Sequence, residues 1–380
     1  MLDYETLRVI WWLLVGVLLI GFAITDGFDL GVGALLTLVG KNDNERRIMI
    51  NTIGPHWDGN QVWFITAGGA IFAAFPLIYA TAFSGFYLAL MLTLAALWMR
   101  PLGFDYRSKL TDPQWRLAWD WALFVSGFVP SLIFGVAFGN LLVGAPFFFD
   151  DVMKVTYTGS FFGLLNPFAI LSGLISVAML LLHASVWLQL KTDGIIRERA
   201  TNVSVILGFL TPALFILAGL WVAFGLDGYI ITSSVNTLAD SNPMLKTVAI
   251  ENGAWLNNFI SHPWMILAPF VGIVAPLGAA FLSVKQRTGW AFVASALTLT
   301  GIILTAGFAM FPFLMPSSSH PNMSLTIWDA SSSQLTLNIM FYVAMFFVPI
   351  VLAYTSWGFW VMRGRIKEQD VVSGQSHTIY

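Results

Sequence analysis

Nine long apolar runs dominate the chain, near residues 9–38, 52–75, 77–99, 117–144, 162–189, 202–225, 263–283, 289–313 and 335–361. A helix needs about 20 apolar residues to cross the hydrocarbon core of a bilayer. The runs are continuously apolar rather than alternating, which argues against a transmembrane barrel. Between them they leave little polar sequence: the chain is 57% hydrophobic and only 10% charged, with a mean hydropathy of +0.78. Soluble domains carry about 25% charged residues. Too few charges remain to coat a soluble enzyme, a nucleic-acid binder or a disordered protein. The expectation is one all-α, polytopic membrane domain over residues 1–380 with nine transmembrane helices. The first run is not a removable signal peptide, because Asp3 and Glu5 precede it and it runs too long. Cysteine is absent, so disulfides, thiolate metal sites and thiol catalysis are excluded.

The basic residues set the topology, since Lys and Arg favour the cytoplasmic side in short loops. Fifteen of the 18 follow the first, third, fifth, seventh and ninth runs. The exceptions are Arg8, Lys154 and Lys246. Val62 to Met99 is almost unbroken apolar sequence, yet positive stretches precede and follow it, so residues 52–99 are expected to cross twice, with the break at Pro76. The N-terminus then lies outside and the C-terminus inside. Nine such segments pack naturally as two four-helix bundles plus one peripheral helix. The largest connection, 226–262, is external and carries Gly, Asn and Ser turn signals.

Ionisable residues inside spanning helices are candidate functional groups. Asp26 and Asp29, three apart, lie near one helix face. Asp29 sits about ten residues from the inner end, roughly 15 Å deep. Gly27 and Gly31 form a Gly-x-x-x-Gly pair that admits a close helix neighbour. The competing reading is a pair of packing or capping carboxylates. The second run opens with Pro55-His56-Trp57-Asp58-Gly59-Asn60-Gln61-Val62-Trp63. Too few apolar residues follow before Pro76 to span alone, so this polar stretch enters the inner half of the membrane. It forms either a hydrated path, since such polarity is tolerated only against protein or water, or a helix cap at headgroup level. Arg100 either snorkels or pairs with Asp29 or Asp58. His183 has the chemistry of a haem ligand, but a histidine hydrogen-bonded within the core is the commoner case. No histidine pair has metal-ligand spacing, and Asp227, Glu251 and Asp329 fall at the outer face, where solvation or capping is expected. No nucleophile–base arrangement is visible, so no catalytic residue is expected in this chain.

These strings, together with Glu45-Arg46-Arg47-Ile48-Met49-Ile50-Asn51, Arg100-Pro101-Leu102-Gly103-Phe104-Asp105 and Met310-Phe311-Pro312-Phe313-Leu314-Met315-Pro316, closely resemble subunit II of the bacterial cytochrome bd-type quinol oxidases. The resemblance covers essentially the whole chain. It implies a haem-free subunit of a non-pumping enzyme in the bacterial inner membrane that oxidises quinol and reduces oxygen to water. The N-terminus would be periplasmic and the C-terminus cytoplasmic. It also implies a partner, subunit I, carrying two b-type haems and one d-type haem, and small single-helix accessory subunits. Some members hold a structural quinone within subunit II. By the same resemblance Asp58 matches the mouth of a proton path, Trp63 a residue near an oxygen-entry route, and Asp29 and Arg100 polar residues inside the bundle. The candidate proton path is therefore Asp58, Asp29, Asp26, Arg100 and His56. Two rival readings are a proton-coupled secondary transporter and a purely structural scaffold. The transporter is disfavoured because the acids sit toward one side and no inverted repeat is evident.

Overall fold

The computed structural model describes residues 2–366; Lys367 and His377 lie outside them. Helix α1 spans Tyr4–Val39 and starts where the Asp3 side chain accepts from the Thr6 N–H at 2.8 Å. A short helix α2, Asp43–Ile53, follows. Asn42 caps it by accepting from Glu45 N–H at 2.9 Å, and Glu45 reaches back to Lys41 N–H at 2.6 Å. Then come α3 (Trp57–Ala74), α4 (Pro76–Gly85), α5 (Tyr87–Tyr106) and α6 (Pro113–Val143). The second half holds α7 (Pro167–Lys191), α8 (Gly194–Phe224), the five-residue α9 (Asn257–Ser261), α10 (Leu267–Val284), α11 (Thr288–Met310) and α12 (Gln334–Val361).

Among the described residues eight helices are long and apolar enough to cross a membrane: α1, α5, α6, α7, α8, Pro263–Val284, α11 and α12. The remaining long helix, α3, has 18 residues and a polar first turn. The expected break at Pro76 is present. A residue without an N–H at the first helical position ends one helix and begins the next. A second break was not expected. The 77–99 run divides at Phe86 into α4 and α5, beside Gly85, where a Cβ would lie 2.7 Å from the Tyr157 ring.

Helix α1 packs against α3, α6 and α7; α5 packs on α6, and α7 on both α6 and α8. Helices α8, α10 and α11 pack together, and α11 also meets α7. The glycine pair on α1 does what its spacing predicts. A Cβ on Gly27 would lie 2.7 Å from a Leu180 methyl, and one on Gly31 would overlap the Cβ of Ala184. Both neighbours belong to α7, so these glycines let the two helices touch. In contrast α12 buries only Leu337 and Asn338. It is held mainly at its ends: Leu337 packs with Leu7 and Trp11, while Phe359 packs near Trp187.

Three small antiparallel hairpins occupy the connections at one end. They are β1 (Phe147–Phe149) with β2 (Val155–Tyr157), β3 (Asp227–Ile231) with β4 (Val248–Asn252), and β5 (Phe313–Met315) with β6 (Leu325–Thr326). Ala145 N–H donates to Pro316 O at 2.9 Å and Ser318 N–H to Ala145 O at 3.0 Å, stitching two hairpins together. Arg8 is fully buried beneath this layer. Its guanidinium donates to the carbonyls of Thr237 and Ala239 and to Ser241 and Ser331, and it stacks over Tyr4. Of the two roles expected for Asp329, solvation or capping, the structure shows the second. Asp329 is buried, accepts from Thr326 N–H at 2.8 Å, and pairs with Lys246 at 2.7 Å. Burial pulls the Lys246 ammonium below its usual range, and the Asp329 carboxylate partly opposes that shift.

Candidate functional site: a buried carboxylate cluster

Asp26 and Asp29 are both buried, but three residues of helix turn them toward different neighbours. Asp26 faces α5. Arg100 Nη1 approaches Asp26 Oδ1 at 2.5 Å and Nη2 approaches Oδ2 at 3.3 Å, a guanidinium fork on one carboxylate. The side chains are 2% and 0% exposed, so the charges are matched inside the protein and not at its surface. This corrects the sequence expectation: Arg100 neither snorkels nor pairs with Asp29 or Asp58. Asp26 is the carboxylate that α1 presents to α5.

Asp29 faces α3. Its Oδ2 accepts from Asn60 Nδ2 at 2.8 Å, while its Oδ1 has no hydrogen-bond partner among the described residues. A cavity of about 10 Å³ touches Asp29, Arg100 and Ser126, with Val32, Ile50 and Phe104 among its apolar walls. That is the lower limit of the space one water molecule needs. The site therefore holds one neutralised carboxylate and one half-satisfied carboxyl at the edge of a water-sized space.

The polar turn of α3 has two faces. Asn60 is buried against Asp29, whereas Asp58 and Gly59 are exposed. His56 is half-buried and points elsewhere. Its ring stacks on Phe359 at 4.5 Å and meets Trp187 edge-on at 6.2 Å. Trp63 lies over Gly21, where a Cβ would be 2.5 Å from the indole, and it packs on the main hydrophobic core. The structure thus brings Asp26, Asp29, Asn60 and Arg100 together, while Asp58, His56 and Trp63 stand apart. Asn60 as the partner of Asp29 was missed, although its place two residues after Asp58 was the available signal.

His183 is a hydrogen-bonded core histidine. Its Nε2 donates to Ile24 O at 2.9 Å and its Nδ1 faces Ser295 Oγ at 2.8 Å. Both nitrogens are engaged, so this residue does not fit an iron ligand. No group of three or more metal-ligating acids and histidines exists among the described residues.

A second buried acid escaped sequence reading. Asp120, on α6, is fully buried and holds Arg46 at 2.7 Å and Arg107 at 2.6 Å. Arg107 also reaches Asp43 at 2.9 Å, which in turn pairs with Arg116 at 2.6 Å. This chain of charges ties α2 to the ends of α5 and α6. Glu45 extends the tie to α8 through Arg199 at 2.7 Å. Partial burial pushes the Glu45 carboxyl up, but the Lys41 N–H and the Arg199 guanidinium outweigh it and hold the group below the usual range. The signal was a lone Asp between Trp119 and Trp121 at the head of an apolar run.

A sequence model of the family described as cytochrome bd terminal oxidase subunit II matches residues 7–362. The chain is 57% identical over 380 residues to the probable cytochrome oxidase subunit 2 of Haemophilus influenzae, covering all of both chains. It is 55% identical, again over the full length of both, to subunit 2 of the cytochrome bd-I ubiquinol oxidase of Escherichia coli K12. Against the cytochrome bd ubiquinol oxidase subunit 2 of Bacillus subtilis it is 32% identical, covering 96% of this chain and 98% of the other. A solved structure of bd oxidase from Geobacillus thermodenitrificans shares the fold, with a TM-score of 0.67 at 15% identity over 94% of this chain and 99% of that one. With its apolar helices and its full-length relatives, the chain belongs to the subunit II family of the cytochrome bd quinol oxidases, membrane oxidoreductases of the respiratory chain.

Proposed function

We propose that this chain is the haem-free subunit that helps assemble a haem-bearing subunit I and admits protons from the cytoplasm toward the oxygen-reducing site. The observation that carries the reading is Asp29. A buried carboxyl with one unpartnered oxygen, beside room for about one water molecule, is an unfavourable way to build a scaffold. It is a suitable group for exchanging a proton. Asn60 joins it to the α3 turn, whose other face exposes Asp58. In this reading Asp58 is the entrance, Asp29 the inner exchanger, and Asp26–Arg100 the fixed pair that holds the helices around them.

The rest follows the family. The chain crosses the inner membrane nine times, α3 and α5 providing the second and third crossings, with the N-terminus periplasmic and the C-terminus cytoplasmic. Helices α1, α3, α5 and α6 form one bundle, α7, α8, α10 and α11 the other, and α12 is peripheral. Subunit I carries two b-type haems and a d-type haem, small single-helix subunits accompany the pair, and Trp63 borders the oxygen route. A structural quinone in this subunit remains part of the proposal. None of the steps ascribed to this chain is electron transfer. Its residues hold helices together and move protons.

The test is Asp58→Asn in the assembled complex. Quinol-driven oxygen consumption falls while the visible haem spectrum keeps its amplitude. Unchanged turnover with full haem content would remove Asp58 from the path. The scaffold reading is favoured by one observation, the doubly bonded Asp26–Arg100 pair, and applies to those two residues.

A further inference from the structure

At the end of the helices that carries the basic connections, a surface cavity of about 180 Å³ opens between the first two turns of α8 and the turn joining α10 to α11. Gly194, Arg197, Glu198 and Thr201 line it from α8 at spacings of three and four, so they share one helical face. Asn202 extends that wall and Gln286 closes the other side. Gln286 stands in the left-handed region with φ 58, between exposed Lys285 and Arg287.

Arg197 is only loosely engaged. Its nearest carboxylate oxygen, Asp193 Oδ1, is 3.7 Å away, and that oxygen is already 2.9 Å from Arg365. The Arg197 Nε is buried with no hydrogen-bond partner among the described residues. Exposed apolar side chains continue from the lining into the apolar part of the helices: Ile206 is one turn beyond Asn202 on α8, and Val284 and Trp290 stand two residues before and four after Gln286.

We infer that this cavity binds the headgroup of a phospholipid carrying both a phosphate and an amine. Arg197, Asn202, Thr201 and Gln286 supply donors of the kind a phosphodiester accepts. Glu198 supplies the acceptor for an ammonium. A headgroup that is only anionic would meet Glu198 unfavourably. The exposed apolar flank accommodates the acyl chains, which distinguishes a lipid from a free phosphate ion of similar chemistry. The consequence is a fixed lipid at the junction of α8 with the α10–α11 turn.

Native mass spectrometry of the assembled oxidase tests this, with dioleoyl phosphatidylethanolamine, dioleoyl phosphatidylglycerol and inorganic phosphate titrated separately. Wild type is expected to retain phosphatidylethanolamine in preference to phosphatidylglycerol. R197Q should weaken that binding by about tenfold or more, the loss expected for a charge-assisted hydrogen bond. E198Q should remove the preference between the two lipids. N202A is the milder variant, with no charge to lose, and should weaken binding even if R197Q assembles poorly. Wild-type affinity in both R197Q and N202A would overturn the site. Binding of inorganic phosphate with no retained lipid would overturn the lipid assignment, and a wild-type preference for phosphatidylglycerol would overturn the role of Glu198.

Discussion

The Asp26–Arg100 pair offers the sharpest energetic test. Both side chains are essentially out of solvent, at 0% and 2% exposure, and the guanidinium meets both carboxylate oxygens. Removing one partner of such a pair leaves a buried charge unmatched, which costs about 3–5 kcal/mol. Removing both replaces two desolvated charges with two neutral amides that can still hydrogen-bond. Replacing a whole buried pair is often close to neutral. Asp26→Asn and Arg100→Gln should therefore each cost several kcal/mol, and the double variant should cost less than either. The assay is a double-mutant cycle on resistance to denaturing detergent, followed by loss of the haem spectrum in the purified complex. The coupling energy is the difference between the double variant and the sum of the singles. If the two single losses simply add, the charges do not depend on each other and the account of the pair is wrong.

Asp120→Asn should behave like a broken buried pair, costing about 3 kcal/mol, because it strips a carboxylate from Arg46 and Arg107 together; the same detergent titration reads it. Gly31→Leu should prevent α1 from reaching α7, since even a Cβ overlaps Ala184; the measurement is the yield of assembled, haem-containing complex from membranes. His183→Phe should leave the haem spectrum unchanged, because both ring nitrogens are spent on Ser295 and Ile24; disappearance of a haem band would show that the ring serves iron. Glu45 predicts an acid limb. Its folded-state pKa lies below the ordinary 4.5, so the stabilisation it gives is present above that value and is lost as pH falls through the lowered one. Glu45→Gln should lower stability above pH 6, where the carboxylate contributes fully, and flatten the acid limb so that the variant and wild type converge as pH falls.

The long helices were legible because the bilayer leaves the chain few options: each apolar run must satisfy its own backbone, and a helix does so internally. Pro76 was legible for a similarly local reason. The split at Phe86 was not, because it answers to Tyr157, a residue on a hairpin far along the chain. The hairpins themselves hid among short apolar stretches such as Phe147–Phe149, where neither period is long enough to read. The site divides in the same way. Burial of Asp26 and Asp29 followed from their place within an apolar run, whereas Arg100, just past the end of one, was left between snorkelling and pairing. The pairing did not follow, since whether Arg100 meets the first or second carboxylate depends on how α1 is rotated against α5. Asp120 drew no reading from the sequence, yet it neutralises two arginines that reach it from neighbouring elements.

That rotation of α1 is what makes the proposed division of labour testable. Two chemically identical carboxyls, three residues apart, have been given opposite surroundings. Asp26 has a full positive charge against it; Asp29 has one amide donor and an open oxygen. If the first locks and the second exchanges protons, the isosteric change to Asn must affect different quantities at the two positions. Asp29→Asn keeps the shape, and its carbonyl still accepts from Asn60, so stability and haem content should stay near wild type. The amide cannot take up and release a proton in the working range, so quinol-driven oxygen consumption should fall at least tenfold. Asp26→Asn should do the reverse, losing stability first and retaining turnover in the complexes that survive. Both quantities come from one preparation of each variant: the detergent midpoint and the turnover per haem. Equal losses of turnover with unaltered stability at both positions would make the Arg100 pair part of the conducting path, and intact turnover in Asp29→Asn would leave that carboxyl a packing group.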